Sequence, residues 1–250
     1  MIDSKEEYIK MENVESKHWW YVSLHNLTLK TIQKAFKQKD ISILDAGCGT
    51  GGLLEKLISN NYKFVEGFDI SEDAVEIARL KKIDIKLGDL KKYKFHKTLY
   101  DVIISNDTMY FFSPDVQKEI LAEFYDSLNK NGIIILNLPS FNIFKGIHDK
   151  AVGIDKRFNK DAVKKMIDQS KFTVEESIYW PFFLSPIIFL TRFVQKIKLM
   201  LNKNYKIKSD IDMPSSFINK FLIELVKFEN RFLLKKPFGS SLFLVIKKIN

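Results

Sequence analysis

The sequence has a single cysteine, Cys48, among its 250 residues. No internal disulfide can form, which fits a reducing compartment. It also lacks an apolar run of the roughly 20 residues that a membrane-crossing helix needs. The longest candidate, Trp180-Pro-Phe-Phe-Leu-Ser-Pro-Ile-Ile-Phe-Leu190, is shorter and holds two prolines, so a span is excluded. The N-terminal stretch to Lys17 is polar and has no apolar core of signal-peptide type. Cytoplasm is therefore the expected location, with peripheral association at the inner membrane surface as an extension of it. Repeats and low-complexity tracts are absent, and no metal site is expected.

Hydrophobic residues make up 46% and charged residues 28%, the balance of a globular chain rather than a disordered one. The length suffices for one sizeable core, or one domain plus an insertion. The net charge of +9 is unevenly placed. Residues 1–190 hold 27 basic and 27 acidic side chains, whereas residues 191–250 hold 13 and 4. A local basic surface attracts phosphates, an anionic membrane or nucleic acid; a solvated lysine-rich face is the plainer alternative.

Residues 16–38 are predicted helical, with apolar positions at Trp20, Leu24, Leu27, Ile32 and Phe36. From Ile41 onward, short apolar runs alternate with amphipathic helices. Strands are predicted at 41–44, 64–68, 83–87, 102–105, 133–138, 172–178 and 241–246. Helices are predicted from Gly51, from the Ser71 cap to Leu80, over 114–128 and over 161–169. Such alternation implies a parallel sheet covered on both faces, with ligands at the carboxyl ends of its strands. Residues 180–236 break the pattern. There the apolar run is followed by Arg192, Lys196 and Lys198, and a second amphipathic helix spans roughly 215–235.

Leu44-Asp45-Ala46-Gly47-Cys48-Gly49-Thr50-Gly51-Gly52 follows the first strand. Gly47, Gly49 and Gly52 satisfy G-x-G-x-x-G, the dinucleotide fingerprint, which alone is a weak signal. Glycines allow a sharp turn and close approach of backbone amides to a ligand. Asp45 separates the readings. A carboxylate is unfavourable beside a pyrophosphate and suits a ligand with an amino group and a sulfonium. Asp69, 20 residues after Gly49, ends the second strand where a carboxylate can accept from ribose hydroxyls. Asp89 and Leu90 follow the third strand, where Asp89 alone would read as a turn residue.

With these residues in order, the sequence resembles the class I S-adenosylmethionine-dependent methyltransferases, over roughly residues 41–180 and passably in the last strand, and in particular members linked to cell-surface glycan or lipid modification. The resemblance implies an α/β, Rossmann-like three-layer sandwich. Its sheet would be mostly parallel and seven-stranded, with the last strand antiparallel and a helical insertion before it. It divides the chain into a helical cap (1–40), a methyltransferase domain (41–179 and 238–250) and an insertion (180–237) acting as lid, membrane-facing element or oligomer contact. It implies S-adenosylmethionine as cofactor, held by Asp45, Gly47, Cys48, Gly49, Gly51, Asp69, Ile70, Asp89, Leu90 and Asn106, with Tyr21 from the entry helix. The family's Asp at position 89 accepts from the adenine amine. The Glu-His that many relatives carry after strand four is Tyr110-Phe111 here, and the paired arginines after the entry helix are Leu24 and His25.

Methyl transfer to oxygen gains from a general base. Within the segment after strand five, His148 is the candidate, in a His-Asp pair with Asp149. The Gly-His-x-Arg-Arg-Tyr-like segment of some relatives is Gly153-Ile154-Asp155-Lys156-Arg157-Phe158 here. Arg157 binds an anionic substrate group or pairs with a carboxylate. Trp19 and Trp20 pack the entry helix on the core or lie over the cofactor. The acceptor reads as a small molecule, a glycan or a lipid-linked molecule, with residues 180–205 as contact to an anionic membrane. An NAD(P)-dependent oxidoreductase and a non-catalytic cofactor-binding module are the alternatives. Nucleic acid is disfavoured as partner: Asn106-Asp107-Thr108-Met109 stands where an Asn-Pro-Pro-Tyr-like loop would be, and no separate nucleic-acid module is evident.

Overall fold

A computed structural model describes residues 5–92, 99–146, 149, 153–201, 212–233 and 235–249. Its centre is strand β1 (Ser42–Ala46). Ile43, Leu44 and Ala46 are wholly buried, as a strand covered on both faces requires. β1 pairs in parallel with β2 (Phe64–Asp69) on one side and β4 (Tyr100–Asn106) on the other. β3 (Lys86–Leu87) extends the sheet beyond β2, and β5 (Leu128–Pro139) lies beyond β4. β7 (Ser241–Lys248) runs antiparallel between β5 and β6 (Phe172–Trp180), giving the order β3-β2-β1-β4-β5-β7-β6. Only the last strand opposes the rest, as the resemblance implies.

The pleat sends alternate residues to opposite faces. Leu44, Ile103, Leu136 and Leu244 pack with α5 (Pro114–Ser127) and α6 (Lys160–Met166) through Phe124 and Val163. Ile43, Val102, Ile135 and Phe243 pack on the other face with α2 (Trp19–Ala35) and α3 (Gly52–Ser59) through Ile32 and Leu57. α4 (Glu72–Leu80) starts at Ser71, whose hydroxyl accepts from the Ala74 amide at 3.3 Å. Strand order reverses between β1 and β4, so the chains leaving their carboxyl ends part and open a crevice.

Several boundaries differ from expectation. The helix expected over 16–38 is α2, begun at His18, whose Nδ1 accepts from the Trp20 amide at 3.3 Å, and a separate helix α1 (Lys5–Glu15) precedes it. β3 is shorter than the apolar run Ile83–Leu87, since only Lys86 and Leu87 find partners on β2. β5 starts early, at Leu128, with a register shift opposite Tyr100/Val102 that positive-φ Asn131 accommodates. α6 stops at Met166, short of Gln169. Asp168 there accepts from the Ser170 amide and hydroxyl, a side-chain turn that competes with helix continuation.

The insertion folds as α7 (Ser185–Leu201) and α8 (Ser216–Phe232). No described helix is long and apolar enough to cross a membrane. α8 is fixed by polar contacts. Asn219 accepts from the Trp19 amide and donates to the Lys17 carbonyl, both at 2.8 Å. The fully buried Glu229 accepts from the Phe182 and Phe183 amides and from Lys236 Nζ.

Candidate functional site

β1 leads directly into the glycine turn. Gly47 and Gly49 have φ of 86° and 55°, a region other residues enter at a cost. The Gly47 and Cys48 amides donate to the Phe68 carbonyl at 2.9 and 3.0 Å, locking the turn to the end of β2. A side chain at Gly47 would strike Thr108, and one at Gly49 would meet Met11 Cε at 2.7 Å. At the end of β2, Asp69 Oδ2 accepts from the Gly49 amide at 2.9 Å and Oδ1 from Ser71 at 3.0 Å. Its carboxylate is oriented by the turn and retains further acceptor capacity.

Above the turn lies a cavity of about 740 Å³, a size suited to a cofactor-sized ligand. It gathers Asp45, Gly47, Cys48, Gly49, Asp69, Ile70, Asp89, Leu90, Asn106 and Tyr21 on one wall system. Gly51 does not join them. It is the left-handed N-cap of α3, backed by Ile83, so its work is the turn itself. Asp89 faces the cavity although its Oδ1 also accepts from the Lys91 amide at 3.0 Å.

The inner end of the cavity is acidic. Asp45 is buried, and no hydrogen bond or ion pair engages its carboxyl among the described residues. Burial, then the charges of Glu15 and Asp69, pushes its pKa up to about 8. Burial also raises Asp69. Glu15, which the sequence reading left unassigned, comes from α1: Thr50 Oγ1 donates to it at 2.6 Å, and burial raises its pKa too. His25 Nε2 lies 3.8 Å from Glu15. Burial, then Lys56 and Lys81, drives His25 down to about 3, so a neutral imidazole meets the carboxyl and the contact is not an ion pair. A cationic ligand group would relieve this crowding of carboxyls, whereas a pyrophosphate would worsen it.

The other wall is the chain leaving β4. Asn106 Oδ1 is buried without a hydrogen-bond partner among the described residues, an acceptor awaiting a donor. Asp107 accepts from Asn137 Nδ2 at 2.9 Å, and Asn137 accepts from Trp180 Nε1 at 2.9 Å. Burial lifts Asp107 to about 7 against that hydrogen bond. Tyr21 and Tyr110 stand near Asp107, and burial raises both phenols. Trp20 stacks on Trp180 at 4.6 Å, packs on the core and also lines the cavity.

Of the two readings of Arg157, the structure shows the carboxylate pair. Its Nε and Nη2 donate to Asp149 at 2.6 and 3.1 Å, and Nη1 donates to the Ser140 and Ser240 carbonyls. Asp149 is fully buried in this pair and also accepts from the Gly146 amide. His148 lies outside the described residues.

A family described as a methyltransferase domain matches residues 43–132. That stretch, about a third of the chain, is similar to a methyltransferase domain. The matched stretch holds the glycine turn, Asp45, Asp69, Asp89 and Asn106. The chain is 33% identical over 101 residues to a carboxy-S-adenosyl-L-methionine synthase of Campylobacter jejuni, covering 38% of this chain and 43% of that protein. It is 27% identical over 148 residues to a malonyl-[acyl-carrier protein] O-methyltransferase of Bacillus anthracis, covering 56% and 51%. The chain thus spans about half the length of the curated relatives it matches. The solved magnesium protoporphyrin IX methyltransferase of Synechocystis with bound SAH has a TM-score of 0.55 at 13% identity, over 92% of this chain and 84% of its own. An S-adenosylmethionine-dependent methyltransferase of Clostridium acetobutylicum gives 0.55 at 11%, over 91% of each. At these identities the likeness is one of fold.

Proposed function

We propose that this chain is an S-adenosylmethionine-dependent methyltransferase. The observation that supports this reading best is the unpaired, buried Asp45 at the head of an acidic cavity on the glycine turn. In this reading Asp69 accepts from the ribose hydroxyls. Asp89 accepts from the adenine amine, with Ile70 and Leu90 against the ring. Asp45, Gly47, Cys48, Gly49, Asn106 and Tyr21 hold the methionine portion, and Gly51 shapes the turn. When bound, the sulfonium supplies a methyl group to an aligned nucleophile, and proximity provides much of the rate. The residues position the acceptor and exclude water. His148 is one candidate base; Asp107, with a pKa near 7 beside the cavity, is a second.

The acceptor class is a small molecule, a glycan or a lipid-linked molecule. The helical cap and the insertion close over the domain from opposite ends of the sequence, and residues 180–205 serve as contact to an anionic membrane surface. The relatives named above differ in what their names say they make or methylate, so the acceptor follows from this chain's own outer wall. Transfer of labelled methyl from S-adenosylmethionine to fractions of a cell extract tests the activity. Label in one fraction, lost in Asp69→Ala, is the expected result. No transfer to any fraction by a chain that binds S-adenosylhomocysteine would make it a non-catalytic module.

A further inference from the structure

α8 packs Leu222, Leu225 and Val226 on the core yet leaves its largest apolar side chains outside. The residues it buries are Asn219, Val226 and Glu229, two of them polar and held by the bonds given above. Its phenylalanines face outward: Phe217, Phe221, Phe228 and Phe232 recur at helical spacing and all are exposed, Phe217 by 84%. α7 does the same. Ile187, Leu190, Phe193, Val194, Ile197 and Leu201 form one exposed stripe, at the three- and four-residue spacing of a helix face. The Phe183 and Phe228 rings, 6.4 Å apart, join the two stripes. A monomer seldom exposes so much contiguous apolar surface without a partner.

Charge selects the partner. Lys196 and Lys198 flank the stripe on α7, which has no carboxylate; Lys220, Lys227 and Arg231 flank that on α8. Of the two carboxylates on α8, Glu224 pairs with Lys227 at 2.6 Å and Glu229 is buried. A second copy of this face would bring cation against cation. An anionic lipid surface matches both the phenylalanines and the lysines. At about 1.5 Å per residue, each helix lies in the interface rather than crossing it.

The platform also borders the cavity. Ile187, Ile188, Thr191 and Arg192 of α7 and Pro214 before α8 line the same space that Asp45 and Asp69 line at its inner end. We infer that α7 and α8 dock on an anionic leaflet and that the acceptor is a membrane-resident amphiphile, its polar head entering past α7 while its hydrocarbon tail stays on the exposed stripe. The acceptor half rests on the methyltransferase reading; the docking half does not.

Co-sedimentation of the full chain with vesicles of phosphatidylcholine plus phosphatidylglycerol tests the docking. Binding at low salt, weakening as salt rises and absent on pure phosphatidylcholine, is expected. Phe193→Ser combined with Phe221→Ser should weaken it on the order of tenfold or more, with melting and affinity for S-adenosylhomocysteine unchanged. No sedimentation at low salt, or equal sedimentation of the double variant, overturns the docking. So does a dimer in ultracentrifugation that the double variant dissociates, with no vesicle binding. When the full chain is incubated with methyl-labelled S-adenosylmethionine and membrane extract, the transferred label should partition into the organic phase; transferred label confined to the aqueous phase overturns the acceptor assignment. Failure of the wild type to bind S-adenosylhomocysteine would instead remove the methyl-donor reading and leave the sedimentation result standing.

Discussion

Buried and unpaired, Asp45 costs the free protein stability. Its carboxyl would ionise near 3.8 in the unfolded chain and near 8 in the folded one. Between those values the folded state holds the extra proton, so stability of the free protein falls as pH rises through this window and levels off above it. Asp45→Asn is therefore expected to stabilise the free protein, on the order of 2 kcal/mol at pH 7.5, while weakening S-adenosylhomocysteine at least about tenfold. Thermal melts and calorimetry measure the two effects; a variant no more stable than wild type contradicts the account of burial. Binding of a ligand amine should also expel the proton, seen as net proton release near pH 7 when calorimetry is repeated in buffers of different ionisation enthalpy. Asp69→Ala keeps the fold and loses most cofactor affinity; near-wild-type affinity would show the ribose assignment wrong. Gly49→Val meets both a positive φ and Met11 at 2.7 Å, so it disrupts the turn as well. Asp45, Asp69 and Asp89 could be placed on one cavity from the sequence because each sits at or just past the carboxyl end of a parallel strand. Glu15 and the Asp107–Asn137–Trp180 chain were not, because their partners lie on elements far away in sequence.

At the scale of elements, the strands were legible as continuous apolar runs, which a doubly covered sheet demands. α1 was missed because it has only two buried apolar side chains, Tyr8 and Met11, and holds its place by closing on the glycine turn and α4. The outward phenylalanines of α8 were hidden for a related reason: sequence shows an amphipathic helix but not which face turns inward. Glu229 decides that here. Glu229→Ala leaves the Phe182 and Phe183 amides without their acceptor and the buried Lys236 ammonium with Asn230 but no carboxylate. A loss of about 3 kcal/mol in denaturant unfolding is expected; a loss under about 0.5 kcal/mol, the range of ordinary surface changes, would mean that the anchor is not Glu229.

For the whole molecule, the fold class was readable from the alternation of strands and helices, and six of the 13 basic residues among the last 60 lie on α7 and α8. What remained hidden was where those helices sit relative to the cavity, since that depends on contacts between residues some 200 positions apart, such as Asn219 with Trp19. The fold puts an acidic, turn-bounded cavity at the reversal of strand order and an apolar, basic surface at its mouth. Such a cavity is expected to accept a cationic adenosyl ligand rather than a dinucleotide. Calorimetry of the full chain with S-adenosylhomocysteine and with NAD tests it most directly. Saturable binding of S-adenosylhomocysteine, lost in Asp69→Ala, with no heat from NAD is the predicted result; binding of NAD alone would contradict it.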